Sequence, residues 1–315
     1  MGKIAFIFVG QGAQAVGMGK QITENFKSAD TIFEKASEAL KFDIKKMIFE
    51  GDDETLKITE NTQPTILTTS IACLQPLLEA GIVPDVTAGL SLGEYSAHVL
   101  SGTIDFSDAV ALVKKRGKYM QEAVPVGMGT MAAILGLSND DVIASCKEAS
   151  SCGIVEPANF NCPGQVVIAG EIKAVERAAE ICKEKGAKRA MLLPVSAPFH
   201  CSMLKPAGEK LKAELDSISF NEMKIPVVTN VTAEYISDST KVKDLLVRQV
   251  SSSVLWEASV NQMMAQGVDT FVEIGPGTAL SGFIKKINKA ANIFNVEDVP
   301  SLEKTLNGLA ALKGE

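Results

Sequence analysis

Val86-Thr87-Ala88-Gly89-Leu90-Ser91-Leu92-Gly93-Glu94-Tyr95-Ser96-Ala97 is the stretch on which the fold turns. Its first five residues form a short apolar strand, and Gly93 to Ala97 open a helix. Between them Gly89-Leu90-Ser91-Leu92-Gly93 satisfies G-x-S-x-G, whose two glycines permit a sharp strand-to-helix turn. Such a turn pushes Ser91 Oγ into the open, where free backbone N–H groups at the helix N-terminus can face an oxyanion. A structural turn is the plain alternative, because G-x-S-x-G also arises by chance. The strand before and the helix after favour a nucleophile.

Outward from this elbow the same rhythm recurs. Lys3 to Val9, Pro226 to Asn230 and Thr270 to Ile274 are further short apolar runs, and Gln63 to Leu78, Phe106 to Val124 and Val254 to Ala265 are the clearest helices. Short runs buried on both faces and separated by amphipathic helices predict a parallel sheet in an α/β architecture. From about Met128 to Val195 the order changes. Thr130 to Leu135 reads as a strand, Asp140 to Ala149 as a helix, Gly153 to Asn159 and Gln165 to Ala169 as strands, Ile172 to Lys185 as a helix and Ala190 to Val195 as a strand. This β-α-β-β-α-β order is the ferredoxin-like pattern. It predicts a subdomain over residues 128–195 inserted into a larger α/β domain of residues 1–127 and 196–315.

Composition supports this and narrows the partners. The 315 residues are 46% hydrophobic and 22% charged, the balance of a globular protein with ample core. With 31 Lys plus Arg against 38 Asp plus Glu, the net charge of −7 argues against a general binder of nucleic acid or anionic membrane. Six cysteines without a C-x-x-C pair, and only two histidines, argue against structural zinc and for no bound metal. No apolar run approaches the roughly 18 residues of a spanning helix. Free thiols without an export signal point to the reducing cytoplasm.

A serine nucleophile needs a base, and the chain offers His98 and His200. His98 lies seven residues along the same helix, roughly 10 Å from Ser91 at about 1.5 Å per residue, and reads as a packed helix residue. His200 follows the Ala197-Pro198-Phe199 break in a loop and is the candidate base by elimination. Cys201 beside it suggests a Cys-His pair, but neighbouring side chains in extended chain point to opposite sides. For a triad acid, Asp140, Asp141 and Glu156 stand between Ser and His; the first two read as a helix start and Glu156 precedes a proline. A neutral carbonyl could therefore orient the imidazole, giving a weaker base suited to an already activated thioester.

Gly10-Gln11-Gly12-Ala13-Gln14-Ala15 satisfies G-x-G-x-x-A after the first strand, so a nucleotide-binding module must be weighed. That fingerprint also needs a second strand ending in an acid about 20 residues on, whereas Thr31 to Ala36 reads as helix. The loop can instead bring the Gln11 N–H beside Ser91 as an oxyanion donor; a plain tight turn is the alternative. In Phe106 to Val124, Val110, Val113, Gly117 and Met120 form the inward stripe, with Arg116 at its edge. An arginine there can snorkel or pair with a structural acid, or clamp a substrate carboxylate through its planar fork.

Taken in order, Phe8-Val9-Gly10-Gln11-Gly12-Ala13-Gln14, the elbow through Ser96, Lys115-Arg116-Gly117, Asn161 to Gly170, Pro198-Phe199-His200, Val247-Arg248-Gln249 and Glu273-Ile274-Gly275-Pro276-Gly277 resemble the malonyl-CoA:acyl carrier protein transacylases, an acyltransferase family of fatty acid and polyketide synthesis. The resemblance covers nearly the whole chain. It implies a hydrolase-like α/β domain with an inserted ferredoxin-like subdomain. It also implies Ser91 as nucleophile, His200 as base, the Gln11 and Leu92 N–H groups as oxyanion hole, the Gln249 main-chain carbonyl as partner of His200 and Arg116 as ligand of the malonyl carboxylate. Phe199 before His200 resembles the malonyl-selective members. One departure is Leu90, where the family often has His. The implied reaction moves malonyl from malonyl-CoA, a substrate and not a resident cofactor, to an acyl carrier protein for fatty acid synthesis. A free-standing acyltransferase of a polyketide synthase would share every residue, and a serine esterase is favoured only if Arg116 faces solvent. Carrier proteins are strongly acidic, so docking calls for local positive charge. Lys188 and Arg189, closing the subdomain's second helix, and Lys285 and Lys286, after the Gly275-Pro276-Gly277 turn, are the candidates, with ordinary solvated charge as the alternative.

Overall fold

Burial on both faces makes the first apolar run into β1 (Lys3–Phe8), in which every residue from Ile4 onward is buried. Phe6, Ile7 and Phe8 expose nothing, and each such side chain stabilises by about 1.5–3 kcal/mol. The computed structural model describes residues 2–195 and 197–314. Residues 1, 196 and 315, which bound the expected domains, lie outside the described residues.

Among the described residues nine further strands follow: β2 (Val86–Gly89), β3 (Gly129–Leu135), β4 (Val155–Cys162), β5 (Gln165–Glu171), β6 (Arg189–Leu192), β7 (Val227–Val228), β8 (Tyr235–Ile236), β9 (Val268–Ile274) and β10 (Asn292–Val296). They form a six-stranded sheet in the order β10-β9-β1-β2-β7-β8 and a four-stranded sheet in the order β4-β5-β3-β6. The first is parallel except for the β7–β8 pair, as the alternation of apolar runs and helices predicts. The second is antiparallel throughout. In it β5 lies between β3 and β4, which splits the first β-α-β unit in the ferredoxin-like manner. The second sheet packs its own core, including Ile134, Val142, Val166, Ile168, Val175 and Ile181.

Several element ends differ from the pattern read along the chain. The helix expected from Gln63 runs over Thr59–Glu79, because Thr62 Oγ1 donates to the Leu56 and Ile58 carbonyls and secures an earlier first turn. Of Pro226 to Asn230 only Val227 and Val228 join the ladder. Val254, expected in a helix, instead makes a parallel bridge to Asn159 and exchanges hydrogen bonds with the Ala158 carbonyl (2.8 Å) and the Phe160 N–H (2.9 Å). These bonds tie the second sheet to the segment that leads into the helix Trp256–Ala265. The helix expected over Ile172 to Lys185 ends at Glu184, so Lys188 lies in the following link and Arg189 opens β6. Among the described residues no helix is long and apolar enough to cross a membrane.

Candidate active site

The register places Phe8 at the end of β1 beside Gly89 at the end of β2, so the loop after β1 and the elbow after β2 emerge side by side at the carboxyl edge of the parallel sheet. The elbow is tight. A Cβ on Gly89 would come within 1.9 Å of the Gly93 carbonyl carbon, and one on Gly93 within 2.2 Å of the Phe8 carbonyl oxygen. No other residue fits either position. The turn throws Ser91 into the left-handed region at φ 53°, and His200 lies there too at φ 60°. Such backbone costs about 1–3 kcal/mol per residue and persists only where its surroundings enforce it.

The two strained residues meet. Ser91 Oγ lies 2.6 Å from His200 Nε2, and His200 Nδ1 lies 2.9 Å from the Gln249 main-chain oxygen. A carbonyl can only accept, so the proton resides on Nδ1 and Nε2 is left as acceptor for the Ser91 hydroxyl. Among the described residues no carboxylate bonds the imidazole directly. Asp140 and Asp141 sit in the first turn of the helix Asn139–Ala149. Glu156 accepts from Ser202 N and Ser202 Oγ, both at 2.7 Å, and so tethers the chain two residues beyond His200. His98 is wholly buried on the elbow helix Gly93–Leu100, its Nε2 3.8 Å from Glu94 Oε1, and takes no part with Ser91.

Ser91 N–H donates to Asn230 Oδ1 at 2.6 Å. Among the described residues, the Gln11 and Leu92 N–H groups have no hydrogen-bond acceptor. Gln11 lies in the loop after β1, and Leu92 directly follows Ser91 in the elbow. The helix Lys27–Leu40 occupies the place where a dinucleotide fold needs its second strand.

Arg116, on the helix Phe106–Ala123, is 1% exposed. Gly117 next to it lets this helix close on Thr59–Glu79: a Cβ there would come within 2.5 Å of the Thr59 carbonyl oxygen. The approach seats the guanidinium over the Tyr95 ring, 5.3 Å from its centroid. Arg116 Nη1 donates to Gln63 Oε1 at 3.0 Å, and Nη2 donates to Gln249 Oε1 at 2.9 Å and to Ser91 Oγ at 3.2 Å. All three acceptors are uncharged. Burial lowers the Arg116 pKa from its ordinary value. A buried cation with no bonded anion among the described residues, beside the Ser91 hydroxyl, can accept a carboxylate. The condition that would favour an esterase, Arg116 facing solvent, is not met.

Phe199 is 8% exposed and packs into the main core beside His200. Cys201 is buried, its Sγ 3.1 Å from the Pro198 carbonyl, and burial pushes its thiol up to about 12. Lys188, Arg189, Lys285 and Lys286 are all exposed. Sequence patterns gave no indication of Gln63, Glu94, Asn230 or the Gln249 side chain. The one sign the chain offered was that position 94, a carboxylate, falls in the first turn of the helix that follows the elbow. Among the described residues no group of three His, Cys, Asp or Glu is placed to hold a metal ion.

Burial, reinforced by the Arg116 cation, pushes His200 down to about 4. The imidazole is therefore an unprotonated acceptor at neutral pH. The kcat/KM of acylation should stay flat from about pH 8 to pH 5 and fall by half only near pH 4, not near the ordinary histidine value of about 6.5. In the unfolded chain the same group titrates near 6.5, so its contribution to stability is complete above that pH and is lost as pH falls towards 4. That loss amounts to about 3 kcal/mol. A pH–rate profile with its midpoint at about 6.5 would contradict this environment.

A family model described as the acyl transferase domain matches residues 5–314. A malonyl CoA-acyl carrier protein transacylase of Bacillus subtilis (strain 168) is 48% identical over 310 residues, covering 98% of each chain. The crystal structure of a malonyl CoA-acyl carrier protein transacylase from Clostridium perfringens superposes with a TM-score of 0.96 at 50% identity, covering 99% of this chain and 98% of that one. A malonyl-transacylase in complex with a type II PKS acyl-carrier protein superposes with a TM-score of 0.94 at 43% identity, covering 97% of this chain and 99% of that one.

Proposed function

Because the chain belongs to the acyl transferase family, we propose that it transfers malonyl from malonyl-CoA to the phosphopantetheine thiol of an acyl carrier protein, for fatty acid synthesis, through a malonyl-serine. The observation that carries the substrate assignment is the buried Arg116 guanidinium, 3.2 Å from Ser91 Oγ and bonded to uncharged oxygens only.

His200 Nε2 takes the Ser91 proton as Oγ attacks the thioester carbonyl. The negative charge that develops on the carbonyl oxygen is received by the Gln11 and Leu92 N–H groups. The C–S bond then breaks and the departing CoA sulfur takes the proton from His200, whose Nδ1–H stays on the Gln249 carbonyl throughout. In the second half the carrier-protein thiol gives its proton to His200, attacks the malonyl ester and expels Ser91, which is reprotonated. Arg116 holds the malonyl carboxylate in both halves, and Phe199 borders the acyl pocket. The chemistry calls for no resident cofactor, and the free cysteines fit a reducing cytoplasm. Mixing the protein with malonyl-CoA should add one malonyl group to its intact mass, and adding carrier protein should remove it. A protein that takes up no malonyl group would overturn the proposal.

The basic residues support a docking site for the carrier protein. Lys286 Nζ donates to Gln165 Oε1 at 3.1 Å, Gln165 is the ladder partner of Leu135, and Leu135 is the partner of Arg189. Lys188 N–H bonds the Leu135 carbonyl, so charges from two parts of the chain share one end of the antiparallel sheet. Changing Lys188, Arg189, Lys285 and Lys286 to Glu should raise the apparent KM for carrier protein about tenfold, more at low salt, and leave acylation by malonyl-CoA unchanged. An unaltered carrier-protein KM would remove this patch from the docking surface.

A further inference from the structure

Glu94 is fully buried at the start of the elbow helix, yet the mechanism above gives it no task. Its Oε2 accepts from the Asn230 main-chain N–H at 3.0 Å and from Gln249 Nε2 at 2.7 Å. Each of these residues then reaches the reacting groups. Asn230 clamps the elbow on both sides of Leu90: Oδ1 accepts the Ser91 N–H at 2.6 Å and Nδ2 donates to the Gly89 carbonyl at 2.7 Å. Gln249 Nε2 also donates to the Ser91 carbonyl at 3.0 Å, while the Gln249 main-chain oxygen faces His200 Nδ1.

We infer that Glu94 is a positioning residue that aligns Ser91 and His200 for acyl transfer, acting through Asn230 and Gln249. A carboxylate only accepts hydrogen bonds, so it fixes which way the Gln249 amide points: Nε2 towards Glu94 and Oε1 towards Arg116. It holds the Asn230 backbone at the same oxygen. One buried side chain thus braces the strained backbone of Ser91 from one side and the residue that orients His200 from the other. Without it the Asn230 backbone and the Gln249 amide each lose one anchor, and the contacts that enforce Ser91 at φ 53° are weakened. The bland alternative is an acid that only complements the helix N-terminus. That role would affect stability and leave the chemistry alone.

The inference rests on Ser91 being the residue that is acylated, and the test separates the two. Single-turnover acylation by malonyl-CoA and by acetyl-CoA, followed by intact mass over a range of donor concentrations, is measured for wild type, Glu94→Ala, Glu94→Gln and Asn230→Ala. Glu94→Ala should lower the limiting rate about 100-fold for both donors, the usual cost of a small misplacement of reacting groups, with half-saturating concentrations little changed. Glu94→Gln should recover to within about tenfold of wild type, because its amide oxygen can take the same two donors. Asn230→Ala should lose rate as Glu94→Ala does, which keeps the inference testable if Glu94→Ala fails to fold. Labelled wild type with an unchanged limiting rate in Glu94→Ala or Asn230→Ala would overturn the inference alone. A loss confined to malonyl, or no recovery in Glu94→Gln, would do the same. Wild type without label would overturn the acyl-serine reading as well.

Discussion

Ser91→Ala should take up no malonyl group from malonyl-CoA, while Cys201→Ala should be labelled as fully as wild type. The elbow presents Ser91 Oγ to His200 Nε2 at 2.6 Å, so the hydroxyl proton has an acceptor at the moment of attack. Cys201 has none. Its thiol, pushed up to about 12 by burial, is ionised in about one molecule in 10⁵ at pH 7, and its sulfur is held against the Pro198 carbonyl. Removing the nucleophile ends the two-step route altogether, so malonyl transfer should fall by on the order of 10⁴-fold or more. Intact mass followed by peptide mapping makes the measurement. Label that survives Ser91→Ala, or that vanishes in Cys201→Ala, would show that the elbow serine does not carry the acyl group.

Arg116→Ala should collapse the preference for malonyl over acetyl. The two acyl groups differ by a carboxylate, whose burial is costly unless a cation with matching donors receives it. Removing one partner of a buried charge pair costs about 3–5 kcal/mol, on the order of 100-fold to several thousand-fold in kcat/KM for malonyl-CoA. Acetyl-CoA makes no such pair, and its turnover should hold steady or rise. The substitution also strips a donor from Gln63 Oε1 and Gln249 Oε1, each worth about 1–3 kcal/mol of stability when left unmatched. The ratio of the two substrates on the same protein is therefore the decisive readout. Arg116→Lys should recover part of the loss, because an ammonium keeps the charge without the fork. Equal slowing of both substrates in Arg116→Ala would make the arginine structural and remove the physical support for malonyl.

What could be read along the chain is what repeats or stands out locally. The apolar runs before and after helical stretches anticipate the parallel sheet, because burial on both faces leaves a run with no polar alternation. The β-α-β-β-α-β order of the second sheet was legible from its alternation of short strand runs and helical periods, although β6 is mostly exposed. G-x-S-x-G marked the elbow because a backbone that tight admits only glycine at both of its ends. His200 stood out because there were two histidines to choose between, and Arg116 because a cation on an apolar stripe breaks the period. The partner of His200 came from resemblance, since a main-chain carbonyl carries no residue identity to read.

Tertiary structure alone decided how these parts are held. Ser91 meets Asn230 across 139 positions, Glu94 meets Gln249 across 155 and Arg116 meets Gln63 across 53. Asn and Gln carry neither a charge pattern nor a hydrophobic period, and nothing local to them shows which distant group they will face. Their positions follow from packing instead: Asn230 from the early end of β7, Gln249 from the last turn of its helix and Gln63 from a helix that begins one turn before it, at Thr59. Hydrogen bonds between far-separated amides and carboxylates exist only once the backbone has brought them within about 3 Å. The nucleophile and its base are therefore written in the sequence as local strain and rarity, whereas the network that aims them is a property of the folded chain.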